Sequence, residues 1–121
     1  MQALVVDDSS TMRKVLKSIL AGAGFEVVEA KCGADALDSL KHSFADLALF
    51  DWNMPGMNGL ELLGRVRADQ RYDDLKIIMV TTESEQSEVE RALGEGANEY
   101  IMKPFTKELF LDKLQIIGLI Q

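Results

Sequence analysis

Apolar positions along the chain follow two rhythms. Ala3-Leu4-Val5-Val6, Leu47-Ala48-Leu49-Phe50 and Ile77-Ile78-Met79-Val80 are short unbroken runs, as strands covered on both faces should be. Phe25–Ala30 alternates and carries two valines, and Glu99–Met102 is short and halted by Lys103-Pro104. These five segments are predicted strands. Between them the apolar residues recur at helical spacing. Met12, Val15, Leu16, Ile19 and Leu20 form one stripe, with Arg13, Lys14 and Lys17 opposite. Ala36, Leu37 and Leu40 form a second, ending near His42-Ser43, and Leu60, Leu62, Leu63 and Val66 form a third. A fourth helix is expected over roughly Glu85–Glu95, on a thin face of Val89, Ala92 and Leu93. So little apolar burial predicts low local stability there. Leu109, Phe110, Leu114 and Ile117 are the spine of a fifth.

The punctuation agrees with that division. Asp7-Asp8-Ser9-Ser10 and Thr106 suit helix starts, and Asn58 with Glu61 three residues on has the form of a capping box. Gly22 with Gly24, and Gly94 with Gly96, end helices, and Arg71–Asp74 reads as a polar loop. A strand followed by a helix, five times, predicts an α/β domain over 1–121 with a doubly wound five-stranded parallel sheet, written (βα)5.

Composition narrows the function. A net charge of −7 argues against a nucleic-acid binder, whose first requirement is phosphate attraction. The single cysteine, Cys32, allows neither a disulfide framework nor a zinc site by itself. No apolar run nears the ~20 residues of a membrane span, and no signal peptide precedes the first strand, so the expected location is the cytoplasm without membrane insertion. His42, beside Lys41 in a polar stretch, reads as a surface residue, which leaves no Ser/His/Asp set. Neither G-x-G-x-x-G nor a Walker lysine motif is present.

The candidate chemistry lies at strand ends, where open α/β sheets place it. Asp7 and Asp8 end the first strand, and Asp51 ends the third before Pro55, Gly56 and Gly59 break the chain. If those strands are neighbours, three carboxylates meet, and their repulsion calls for a hard divalent cation such as magnesium. Taken singly, each aspartate could merely cap a helix or begin a turn. Thr81 ends strand four and Lys103 ends strand five, so a hydroxyl and a cation face the same edge. A nucleophilic carboxylate, a metal clamp and a neutralising lysine are what acyl-phosphate chemistry requires. For the Lys103-Pro104 bond, trans is the default from the residues alone, and Tyr100 alone reads as an ordinary edge aromatic.

Four motifs carry a resemblance over essentially the whole chain. They are Val5-Val6-Asp7-Asp8-Ser9-Ser10-Thr11-Met12-Arg13, Asp51-Trp52-Asn53-Met54-Pro55-Gly56-Met57-Asn58-Gly59, Val80-Thr81-Thr82, and Tyr100-Ile101-Met102-Lys103-Pro104-Phe105. The chain resembles the receiver domains of two-component response regulators, most of all the CheY-like single-domain chemotaxis members. The resemblance implies a flavodoxin-like strand order 2-1-3-4-5. It implies that Asp51 accepts a phosphoryl group from a phosphohistidine on a CheA-like sensor histidine kinase. Asp8 matches the direct Mg2+ ligand, Asp7 a largely water-mediated one, and the Asn53 backbone carbonyl completes the protein's share with Asp51. Thr81 matches the switch hydroxyl, and Lys103 the partner of a phosphoryl oxygen, with a cis bond to Pro104. Tyr100 matches the aromatic that turns inward. Asn53 and Glu83 match positions that tune phosphoryl lifetime, and here suggest a short one. Thr82 departs from a usually smaller residue and implies narrower access to Asp51.

The expected output is partner binding through the fourth helix, fifth strand and fifth helix, with a flagellar motor switch component as the first candidate. The rival reading is a phosphoryl carrier in a multi-step relay. A hydrolase or phosphotransferase working through a phospho-aspartate is opposed by Asn53, which cannot act as a general acid two residues after Asp51. A constitutive binding module is opposed by the presence of all the key positions.

Overall fold

The computed structural model describes residues 1–82 and 87–121. The three unbroken apolar runs form the centre of one sheet. Its strands are β1 (Gln2–Val6), β2 (Glu26–Ala30), β3 (Leu47–Asp51), β4 (Lys76–Thr81) and β5 (Glu99–Met102). They are parallel and ordered β2-β1-β3-β4-β5. Every residue of β3 is buried, whereas only Ala30 of β2 is. That contrast follows from position, since β2 lies at an edge and β3 at the centre.

Strand alternation sends successive side chains to opposite faces. Ala3, Val5, Leu47, Leu49, Ile78, Val80 and Ile101 line one face and pack with Leu16, Leu20, Phe110 and Leu114. These last come from α1 (Ser10–Gly22) and α5 (Lys107–Ile116). Leu4, Val6, Ala48, Phe50, Ile77 and Met79 line the other face. They meet α2 (Gly33–His42), α3 (Gly59–Arg67) and α4 (Val89–Gly94).

Side-chain caps start α1, α3 and α5. Ser9 Oγ accepts from Met12 N, Asn58 Oδ1 from Glu61 N, and Thr106 Oγ1 from Leu109 N. Five expectations need correction. Val15, Leu93 and Leu109, assigned to apolar stripes, are 45%, 39% and 41% exposed. They lie at the margin of stripes whose centres are Leu16, Ala92 and Phe110. The fourth concerns the polar loop near Arg71, which holds a 3-10 turn over Gln70–Tyr72, where Asp69 accepts from Arg71 N. The regular fourth helix spans only Val89–Gly94, and Glu85 lies outside the described residues.

Candidate functional site

Val6 pairs with Phe50, so Asp7 and Asp51 leave adjacent strands side by side. The β1–α1 turn adds Asp8. One carboxylate oxygen from each of the three lies within 4.8 Å of the others. Asp7 and Asp51 are buried and Asp8 is exposed. Lys103 reaches in from the end of β5. Its Nζ donates to Asp51 Oδ1 at 3.1 Å and to Asp7 Oδ2 at 3.4 Å. The other Asp7 oxygen accepts from Ser9 N at 2.9 Å.

The electrostatics are unbalanced. Burial, and then the neighbouring Asp7 charge, raise the Asp51 pKa above the usual carboxylate value, and Lys103 offsets only part of this. Burial also works against the Lys103 ammonium, yet Asp51 and Asp7 outweigh it and raise the Lys103 pKa. One ammonium among three carboxylates leaves excess negative charge. The donors are all hard oxygen, on a surface open at Asp8, which fits a divalent cation that keeps some of its waters.

The close approach of the next loop depends on Gly59. Its N–H donates to Trp52 O at 2.9 Å. A Cβ at Gly59 would overlap the Asp51 carbonyl oxygen and come within 2.9 Å of Trp52 Cα. Trp52 itself is buried, and Asn53 is exposed on the loop just after it.

The remaining predicted residues stand on or just after β4 and on β5. Thr81 continues the row of Ile77 and Met79, the face of α2, α3 and α4. It is fully buried, and its hydroxyl donates to Ile101 O at a long 3.5 Å. It ends β4, and Lys103 N donates to its carbonyl at 2.7 Å. Thr82 is half-buried. Tyr100 is half-buried against the same core, with Lys113 Nζ 4.7 Å from its ring centroid. Lys113 also pairs with Glu99 at 3.2 Å. The Lys103–Pro104 bond is cis, against the default from the residues and in line with the resemblance. Glu83 lies outside the described residues. His42 is largely exposed beside Asp38, as expected of a surface residue.

Residues 3–115 match the response regulator receiver domain family. The chain belongs to that family. It is 50% identical over 117 residues to a chemotaxis protein CheY homolog of Campylobacter jejuni, covering 95% of this chain and 90% of that protein. It is 47% identical over 119 residues to chemotaxis protein CheY1 of Helicobacter pylori, covering 97% and 96%. The solved structure of Vibrio cholerae chemotaxis protein CheY4 superposes with a TM-score of 0.89 at 34% identity, covering 96% and 97%. The fold and strand order agree with this kinship. Among the described residues no helix is long and apolar enough to cross a membrane.

Sequence reasoning missed two contributors to the site. Arg13, assigned to the solvent face of α1, is 17% exposed and donates to the Asp7 main-chain carbonyl at 2.6 Å. Gly59 was read only as a chain break. A clue to Arg13 was its place, one turn into the helix that follows the acidic pair.

Proposed function

We propose that this chain is a phosphorylation-activated receiver in a two-component pathway, most plainly of the chemotaxis type. The observation that carries the reading is the cluster of Asp7, Asp8 and Asp51 bridged by Lys103. Kinship with chemotaxis receivers supports the pathway. The receiver unit takes up residues 1–121 and works in the cytoplasm.

In this reading an Asp51 carboxylate oxygen attacks the phosphorus of a phosphohistidine on a CheA-like histidine kinase. The P–O bond forms as the P–N bond breaks, and the leaving imidazole nitrogen keeps the electron pair and takes a proton from solvent. Mg2+ held by Asp7, Asp8, Asp51 and the Asn53 carbonyl would neutralise charge on the transferring group. Lys103, already between Asp7 and Asp51, releases one carboxylate to pair with a phosphoryl oxygen. Thr81 turns from the Ile101 carbonyl to the new acceptor, and Tyr100 moves into the space on its side of the sheet. The α4-β5-α5 face then binds a partner, with a flagellar motor switch component as first candidate. Asn53 and Glu83 set the lifetime of the phosphoryl group.

The test uses Trp52, next to Asp51, as reporter. Mg2+ followed by a beryllofluoride phosphoryl mimic is titrated into the parent and into Asp51→Asn. Saturable emission changes are expected in the parent, with the mimic's effect lost in the variant. Absence of any response to millimolar Mg2+ in the parent would sink the reading.

Thr82 favours a second reading, a carrier in a multi-step phosphorelay, because a bulkier residue beside the switch position slows exchange at Asp51. The phosphoryl half-life separates the two: a short one fits chemotaxis, a long one the relay. Thr82→Ala is expected to shorten it.

A further inference from the structure

The turn carrying Asp7 and Asp8 is held from outside the carboxylate cluster. Arg13 stands in α1, and its guanidinium makes two bonds in different directions. Nη1 donates to the Asp7 carbonyl at 2.6 Å, and Nε donates to Glu29 Oε1 at 3.1 Å. Glu29 belongs to β2, the strand beside β1. Lys17 Nζ approaches the other Glu29 oxygen at 3.8 Å. Arg13 therefore spans from the edge strand to the peptide that joins the two aspartates.

That peptide matters because the two aspartates are held so differently. Asp7 is fixed at every polar group. Its N–H donates to Ala30 O at 3.1 Å, its carboxylate accepts from Ser9 and Lys103, and its carbonyl accepts from Arg13. The Asp8 carboxylate is exposed and makes no hydrogen bond or ion pair among the described residues. Its position against Asp7 and Asp51 is set by the main chain, and the carbonyl of the Asp7–Asp8 peptide is the point at which Arg13 holds that chain. Glu29 already counters the Arg13 charge, so the bridge works through geometry. A guanidinium offers a rigid fork of donors, which a single ammonium cannot reproduce at a divided site.

We propose that Arg13 is a positioning residue for the divalent-cation site. By bridging Glu29 to the Asp7 carbonyl, it fixes the peptide that sets Asp8 against Asp7 and Asp51. This rests on reading the carboxylate cluster as a Mg2+ site.

Mg2+ alone is titrated into the full chain and followed by Trp52 emission, well below the melting temperature. The parent is compared with Arg13→Met, Arg13→Lys, Glu29→Ala and Lys17→Met. Melting of each in EDTA separates loss of fold from loss of metal affinity. Arg13→Met and Arg13→Lys are expected to raise the Mg2+ dissociation constant about tenfold, as outer partners of metal ligands do. Glu29→Ala should move it the same way by a smaller factor, and Lys17→Met should leave it unchanged. A purely structural role would lower the metal-free melting temperature and leave the dissociation constant alone, which overturns the proposal. Full rescue by Arg13→Lys also overturns it, since charge would then suffice. If Arg13→Met does not fold, Glu29→Ala decides, and parent-like affinity there counts against the bridge. A parent without saturable Mg2+ response removes the metal site and this proposal together. A parent that binds alongside indifferent variants removes only the role of Arg13.

Discussion

At the scale of single residues the site is a balance of like charges. Asp51 is pushed above the ordinary carboxylate value of 3.8 by burial first and by Asp7 second. An acid with a raised folded-state pKa holds its proton more tightly folded than unfolded. Its contribution favours the fold at low pH and is lost as pH rises through the folded-state value. At neutral pH and without metal, ionised Asp51 therefore works against the fold. Asp51→Asn should raise metal-free stability at pH 7 by on the order of 1 kcal/mol. That gain should shrink as pH falls toward 3.8. Urea unfolding in EDTA at two pH values measures both, and a variant less stable than the parent would mean that Lys103 outweighs the repulsion. Lys103 has linkage of the same sign in a higher pH window. Its raised pKa makes its stabilisation complete through neutral pH and lost only as pH climbs beyond 10.5 through the folded-state value. Lys103→Met should cost about 2 kcal/mol, the scale of hydrogen bonds to charged groups. Mg2+ should restore part of that loss, because it supplies the missing positive charge.

Among the α-helices of the described residues, α4 is the shortest at six residues. Its two buried residues, Val89 and Ala92, are smaller than the Leu16 and Leu20 of α1 or the Phe110 and Leu114 of α5. Beyond its C-terminus the chain is clamped by Arg67 of α3. That guanidinium donates to Gly96 O at 2.9 Å, Tyr72 O at 2.6 Å, Leu75 O at 2.7 Å and Asn98 Oδ1 at 3.0 Å. Gly96 has φ 115°, and a Cβ there would crowd the Arg67 side chain. The fork thus ties α3, the 3-10 turn, the start of β4 and the α4–β5 loop at the end of the sheet away from Asp51. Arg67→Ala should destabilise the protein by about 3 kcal/mol, since it strips a charged donor from several partly buried carbonyls. Arg67→Lys should recover little, having one ammonium for four acceptors. Hydrogen exchange checks the other half of the argument. Amides of Val89–Gly94 should exchange well before those of Ile77–Val80, and equal protection would show that α4 is not the loose element.

At the scale of the molecule, what the sequence disclosed follows from what each signal measures. Runs such as Leu47–Phe50 marked strands buried on both faces, and aspartates at two strand ends became neighbours once β1 lay beside β3. Helical periodicity located each stripe but not its margin, so Val15 and Leu109 were placed inside when they are exposed. Arg13 and Arg67 left no pattern because their partners include main-chain carbonyls brought close only by folding. Thr81 was placed at its strand end, but the side of the sheet its hydroxyl takes is a matter of strand parity that single-residue reasoning does not address. The carboxylate cluster also links metal to global stability. A cation that binds the folded state alone stabilises it by about 2.7 kcal/mol at a hundredfold excess over its dissociation constant. For a domain of this size that is a rise of roughly 10 °C in melting temperature. With a net charge of −7, general screening by salt also contributes. The control is therefore sodium chloride at matched ionic strength, which should reproduce only a small part of the rise. Asp51→Asn should keep the salt response and lose much of the Mg2+ response. Equal shifts in parent and variant would place the cation elsewhere on the acidic surface, and Lys103 between Asp7 and Asp51 would then be the positive charge that offsets the cluster.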